Sequence, residues 1–147
     1  MISGLNILNN NLGAQPNKLL AELLHNYCYT TNDNDIIICL KSLKLLNKNK
    51  IPYDFLLEHL IKIIDIVLSK NIMFNIHINV KSISIVDVDI NQDFIKKASL
   101  VLKDKYPYKL ENCYIYEAPS IFTSLCKIIF AFIDKETQKK FKIIEMK

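Results

Sequence analysis

The sequence predicts an α/β domain built on a largely parallel sheet, and three features carry that expectation. Residues 71–80 alternate: Ile72, Phe74, Ile76, Ile78 and Val80 fall on one side, Met73, Asn75, His77 and Asn79 on the other. That is the period of a strand. Residues 36–40 (IIICL) form a short continuous apolar run, as a buried strand does. Between such runs lie longer stretches with apolar residues at helical spacing, so strands and helices alternate along the chain.

Taken in order, residues 1–15 hold three consecutive Asn and both glycines, Gly4 and Gly13, and read as an irregular arm. Pro16 can open a helix; Leu19, Leu20, Leu23, Leu24 and Tyr27 give it an apolar stripe ending near Cys28. The cluster TTNDND at 30–35 is a turn, and the strand at 36–40 follows. Residues 43–49 read as a loop or a short helix. Pro52 starts a helix to about Ser69, with apolar residues at 56, 57, 60, 61, 63, 64, 67 and 68. Glu58, His59, Lys62 and Asp65 occupy its other face, which makes His59 a solvated residue. The strand at 72–80 comes next; His77 between two Asn suggests either a polar site or, more simply, a polar sheet face or a hydrogen-bonded histidine. Residues 84–90 read as a loop-like crossover. Asn91 or Asp93 caps a helix over 91–104 whose stripe is Phe94, Ile95, Ala98, Val101 and Leu102. Strands at 113–117 and 141–145 flank a helix at 120–133.

Composition narrows the function. At 147 residues the chain is long enough for one core. Half of it is hydrophobic, which fits an extra apolar interior surface. The net charge of +4 comes from Lys alone, since there is no Arg. Modest basicity suits approach to an anionic membrane, while the absence of Arg argues against specific DNA reading and against a nucleic-acid partner. The crowding of Ile, Lys and Asn points to an AT-rich coding genome, as in some large DNA viruses or protozoa. Cys28, Cys39, Cys113 and Cys126 show no CxxC spacing, so no metal site is expected and reduced cytosolic thiols are. No glycine-rich phosphate loop, G-x-S-x-G or HExxH occurs, so no catalytic residues and no cofactor are expected.

One stretch carries more than fold. IFTSLCKIIFAFI at 121–133 holds a single charge, Lys127, and is apolar almost all round. At 13 residues it is too short to span a bilayer, which needs ~20; taken alone it is a core helix or one facing lipid. It is preceded by YPYKLENCYIYEAPSIF and followed by IDKETQKKFKII. The order is Tyr106-Pro107, a basic turn, a strand, Ala118-Pro119, the apolar helix, Asp134, a Thr/Lys helix end and a last strand. This resembles the CRAL-TRIO lipid-binding family, whose members read YPER, a strand, N-A-P, a bulky apolar helix, F-L-D-P-x-T and K-I. The resemblance is close from about residue 75 to 144. At 79–82 the family's D-L-x-G is replaced by Asn79-Val80-Lys81-Ser82.

The resemblance implies a CRAL-TRIO-like sheet flooring an apolar pocket, with the helix near 120–133 as a gate. It implies two segments: residues 1–34, an arm and short helix left from the family's N-terminal bundle, and residues 35–147, the lipid-binding domain without the usual C-terminal extension. Head-group positions carry over to Tyr108, Lys109, Thr137 and Lys140. Tyr108 and Lys109 stand where the family has Glu and Arg. The acyl pocket and gate carry over to Phe74, Ile76, Phe122, Leu125, Ile128, Ile129 and Phe132. Phe74 and Ile76 replace the hydroxyls of phosphatidylcholine binders, so that lipid should bind poorly. The expected function is non-enzymatic binding and transfer of a phospholipid, a phosphoinositide, by a cytoplasmic protein peripheral to membranes. The alternative is a protein-interaction module with a collapsed pocket. Loss of the family's covering segments should leave apolar surface exposed, which self-association could cover.

Overall fold

The computed structural model describes residues 16–31, 33–116 and 118–145. The expected arm at 1–15 lies outside them. The order of elements is α1 (Pro16–Tyr27), β1 (Cys28–Thr30), β2 (Asp35–Cys39), α2 (Leu40–Lys48), α3 (Tyr53–Leu68), β3 (Phe74–Asn79), α4 (Ile85–Ile90), α5 (Gln92–Lys105), β4 (Leu110–Tyr116), α6 (Pro119–Ile129), α7 (Lys135–Gln138) and β5 (Phe141–Ile144).

The five strands form one sheet in the order β1-β2-β3-β4-β5. β1 pairs antiparallel with β2, and β2 to β5 are parallel. The strand at 74–79 is therefore central, as its alternation predicts. Parallel neighbours taken in sequence order, each joined by a right-handed crossover, place all the connecting helices on one face of the sheet. The burial pattern agrees. Ile36, Phe74, Ile76, Ile78, Cys113, Ile115 and Phe141 are buried beneath those helices. Asp35, Ile37, Asn75, His77, Asn79, Tyr114, Tyr116 and Lys142 alternate onto the other face and are partly or fully exposed.

The structure differs from the sequence reading in several places. Cys28–Thr30 is a strand, because it finds a partner in β2 with Tyr29 opposite Ile37. Of the two readings left open for residues 43–49 the helix holds, and it starts earlier, spanning Leu40–Lys48 with Leu43 and Leu46 turned into the core. Residues 85–90 are a helix, not a loop: Ser84 and Asp87 form a reciprocal capping box that satisfies donors at its N-terminus. β3 begins at Phe74 and leaves Ile72 81% exposed. β4 begins at Leu110, three residues early and opposite Phe74, and a register irregularity follows before Asn112 pairs with Asn75. α6 ends at Ile129; Phe130 to Ile133 form the turn that Asp134 closes by capping α7.

Among the described residues the exposed large apolar side chains lie off the strands of the open sheet face, where alternation has placed Asn, His and Tyr, and three of them, Ile85, Val86 and Ile90, share α4.

Candidate functional site

Two successive strands place the site. Tyr108 and Lys109 lie just before β4, and Thr137 and Lys140 just before β5. Adjacent parallel strands bring their N-terminal ends to one edge of the sheet, so segments some thirty residues apart in sequence meet there. The C-terminal turn of α5 reaches the same edge. The result is a cleft of about 230 Å3 lined by Lys103, Tyr108, Asp134, Thr137 and Lys140 over a base that includes Leu102, Tyr106, Leu110 and Ile133.

The polar groups of this cleft are largely held in place. Lys140 donates from Nζ to the Leu110 carbonyl at 2.6 Å. Asp134 Oδ1 accepts the Thr137 amide at 2.7 Å. That amide, with the Thr137 hydroxyl next, keeps the Asp134 carboxyl below its ordinary range. Tyr106 donates its hydroxyl to Asp65 Oδ1 at 2.6 Å; burial first, then Asp65, push its phenol above the usual range. Tyr108 has φ 62° and is 79% exposed. An aromatic residue in left-handed backbone is a strained outlier.

Three of the four expected head-group residues thus converge: Tyr108, Thr137 and Lys140. Lys109 is exposed and does not line the cleft; its carbonyl accepts the Phe74 amide and ties the turn to β3. Lys103 does line it, and the sequence reading did not single it out.

Leu102 also lines an almost wholly apolar crevice under the helices, together with Ile76, Phe94, Ile95, Ala98, Leu125, Ile129 and others. Its volume is about 70 Å3. The expected acyl-pocket and gate residues divide here. Ile76, Leu125 and Ile129 line the crevice. Phe74 is fully buried and packs edge-on against Tyr106. Phe122 packs on the core. Ile128 and Phe132 face outward onto a groove shared with Ile85, Asp89 and Lys96. Far from being buried all round, α6 is amphipathic: Ile121, Leu125, Cys126 and Ile129 are buried, while Thr123 and Lys127 are exposed.

Other reactive groups are quiet. Burial pushes the Cys28 thiol up to about 12 and Cys126 to about 11, and raises Cys113 as well. Those thiols stay protonated at neutral pH, and the thiolate is the nucleophile. Among the described residues no group of three or more His, Cys, Asp and Glu is placed to hold a metal, and no helix is long and apolar enough to cross a membrane.

Comparison with known proteins adds to this geometry. The model of the CRAL/TRIO domain family matches residues 22–147. Among solved structures, the chain is similar to the crystal structure of Sfh5, with a TM-score of 0.68 and 19% sequence identity. The match covers 82% of this chain and 48% of that one, so the chain spans about half the length of the structure it matches. At that identity the likeness is one of fold. No curated protein matches the sequence.

Proposed function

The chain belongs to the CRAL/TRIO domain family, and from that premise we propose that it binds a phospholipid and carries it between membranes without chemical change. The head group, that of a phosphoinositide, enters the cleft of Tyr108, Thr137 and Lys140, and the acyl chains enter the crevice of Ile76, Leu125 and Ile129. One observation carries this reading. The polar cleft and the apolar crevice share Leu102, so an amphiphile could place its charge in one and its chain in the other. Lys140 supplies a point charge for phosphate. A crevice of about 70 Å3 is far below the 300–1,000 Å3 typical of ligand sites, so α6 must move outward to admit a lipid. Ile128 on α6 and Phe132 in the turn that follows it, beside Ile85, Val86 and Ile90 on α4, form the surface that meets the bilayer during that opening. The protein then works in the cytoplasm, peripheral to membranes, and self-association would shield this surface between encounters.

The small crevice also favours a second reading, in which the fold persists with a closed interior and the surface recruits a protein. Mass spectrometry of lipids extracted from the purified protein separates the two. A stoichiometric phospholipid supports carriage. A clean empty spectrum, with no uptake from vesicles, supports the interaction module.

A further inference from the structure

Ammonium groups outnumber carboxylates in the lining of the cleft. Its charged and hydroxylic lining consists of Lys103, Tyr106, Tyr108, Asp134, Thr137 and Lys140. Asp134 is the one carboxylate among them, and it is engaged through one oxygen. The Tyr106 hydroxyl is committed to Asp65, and Asp134 Oδ1 is committed to the Thr137 amide. Lys140 spends one of its three N–H bonds on the Leu110 carbonyl and keeps two. Lys103, in the last turn of α5, is exposed and has no ion-pair partner among the described residues. Two ammonium groups against one carboxylate leave the cleft net positive.

We propose that Lys103 is the second cation of this cleft, and that with Lys140 it selects a phosphomonoester over the phosphodiester of an ordinary phospholipid. The proposal rests on the reading of the cleft as a head-group site. A phosphomonoester carries about −1.5 to −2 charge at neutral pH and three terminal oxygens; a diester carries a single charge and two. One lysine and one hydroxyl suffice for the diester. A second lysine from a different element is useful only when there is a second charge and a third oxygen to bind. The chemistry is shared by a phosphorylated lipid head group and a free phosphate ester, and the Leu102 junction with the crevice favours the lipid.

The test uses the full chain and phosphatidylcholine vesicles doped with either phosphatidylinositol or phosphatidylinositol 4-phosphate, with inositol 1,4-bisphosphate as soluble competitor. Wild type should prefer the monoester vesicles by about tenfold or more, the effect of one charge-assisted hydrogen bond. Lys103→Gln should weaken binding to the monoester vesicles far more than binding to phosphatidylinositol vesicles, so that the preference is lost, with an unchanged melting temperature. Lys103→Arg should retain it. Weak competition by the soluble ester supports a lipid ligand; competition as strong as the vesicles' own binding supports a free phosphate ester in the same site. Equal binding of both vesicles by wild type and Lys103→Gln overturns the role of Lys103 and leaves the head-group site standing. Failure of wild type to bind either lipid or the soluble ester overturns both.

Discussion

His77 on β3 and Asp35 on β2 join across the open face of the sheet, with Nε2 2.8 Å from Oδ1. The other ring nitrogen, Nδ1, lies 2.6 Å from the Tyr116 hydroxyl on β4. Three parallel strands are thus cross-linked by one side-chain row, and the ring stacks beside Tyr114 and Tyr116. A neutral imidazole satisfies both contacts in one way: Nε2–H donates to the carboxylate, and Nδ1 accepts the phenol. The sequence reading of His77 as a hydrogen-bonded residue on a polar sheet face fits this geometry.

Tyr116→Phe should therefore remove the donor to Nδ1 and cost about 0.5–1.5 kcal/mol in urea unfolding. Nitrogen chemical shifts should show the Nε2–H tautomer in wild type. A wild-type Nδ1–H tautomer would show that the row is wired in the opposite sense.

His59 gives a pH prediction. The sequence places it on a solvated helix face, but its Nε2 lies 2.8 Å from the Cys28 carbonyl, and that bond requires Nε2–H. Burial is the first cause that holds its pKa below the ordinary 6.5; the Cys28 carbonyl works the other way, and Lys62 and His25 add to the lowering. A depressed folded value means that the unfolded chain binds the proton more readily. The contribution is complete above ~6.5 and is lost as pH falls through the folded value. Urea midpoints should drop over that window, and His59→Gln should flatten the drop. The carboxyls of Asp87 and Asp134, both lowered from 3.8, act only at more acidic pH. A wild-type and His59→Gln pair with parallel profiles would contradict this assignment.

Ser82 has φ 65°, the left-handed backbone that glycine adopts freely. It occupies the place where the family carries Gly, and Asn79, in place of the family's Asp, accepts the Lys81 amide at 2.9 Å. The left-handed backbone is thus carried by a residue with a side chain, at a cost of about 1 kcal/mol. Ser82→Gly should raise the melting temperature, unless added freedom in the unfolded chain cancels the gain. A loss of more than ~1 kcal/mol would mean that the Ser82 side chain holds the turn in its own right.

These cases show what was legible. Period-two alternation found β3, and period 3.6 found α3, because each buries one clean face. β1 was missed because three residues carry no period and the strand exists only through pairing with β2. α4 was missed although Ser84-x-x-Asp87 is a capping signal; its exposed Ile85, Val86 and Ile90 broke the expected stripe. The partial burial of His59 depends on β1 and was hidden with it. Tyr108, Thr137 and Lys140 meet because two parallel strands begin side by side, which no local pattern encodes; only the family resemblance pointed there. Lys103 had no such pointer.

The helix α6 separates core from opening surface. Leu125 is buried and lines the crevice, so Leu125→Ala should cost about 2–5 kcal/mol. Phe132 lies beyond the helix, partly buried in the outer groove. Phe132→Asp should slow lipid transfer between vesicles while losing much less stability than Leu125→Ala. If Phe132→Asp unfolds the protein as readily, the segment is ordinary core and does not open.

Lys140 offers the most direct test of the head-group site. Its ammonium sits at the mouth of the cleft, anchored to the Leu110 carbonyl, with Thr137 three residues earlier. A charge-assisted hydrogen bond to phosphate contributes ~1.5–3 kcal/mol, so Lys140→Ala should weaken phosphoinositide binding about ten- to a hundredfold. The anchoring bond makes a second variant necessary. Lys140→Gln can still donate to the Leu110 carbonyl but carries no charge, so it should keep stability and lose affinity. Lys135, exposed at the start of α7 and outside the cleft lining, is the control, and Lys135→Ala should bind as wild type does. If Lys140→Ala, Lys140→Gln and Lys135→Ala all bind alike, the basic end of α7 is a solvated face. Any lipid would then be held by its acyl chains, and the preference for a phosphoinositide would fall.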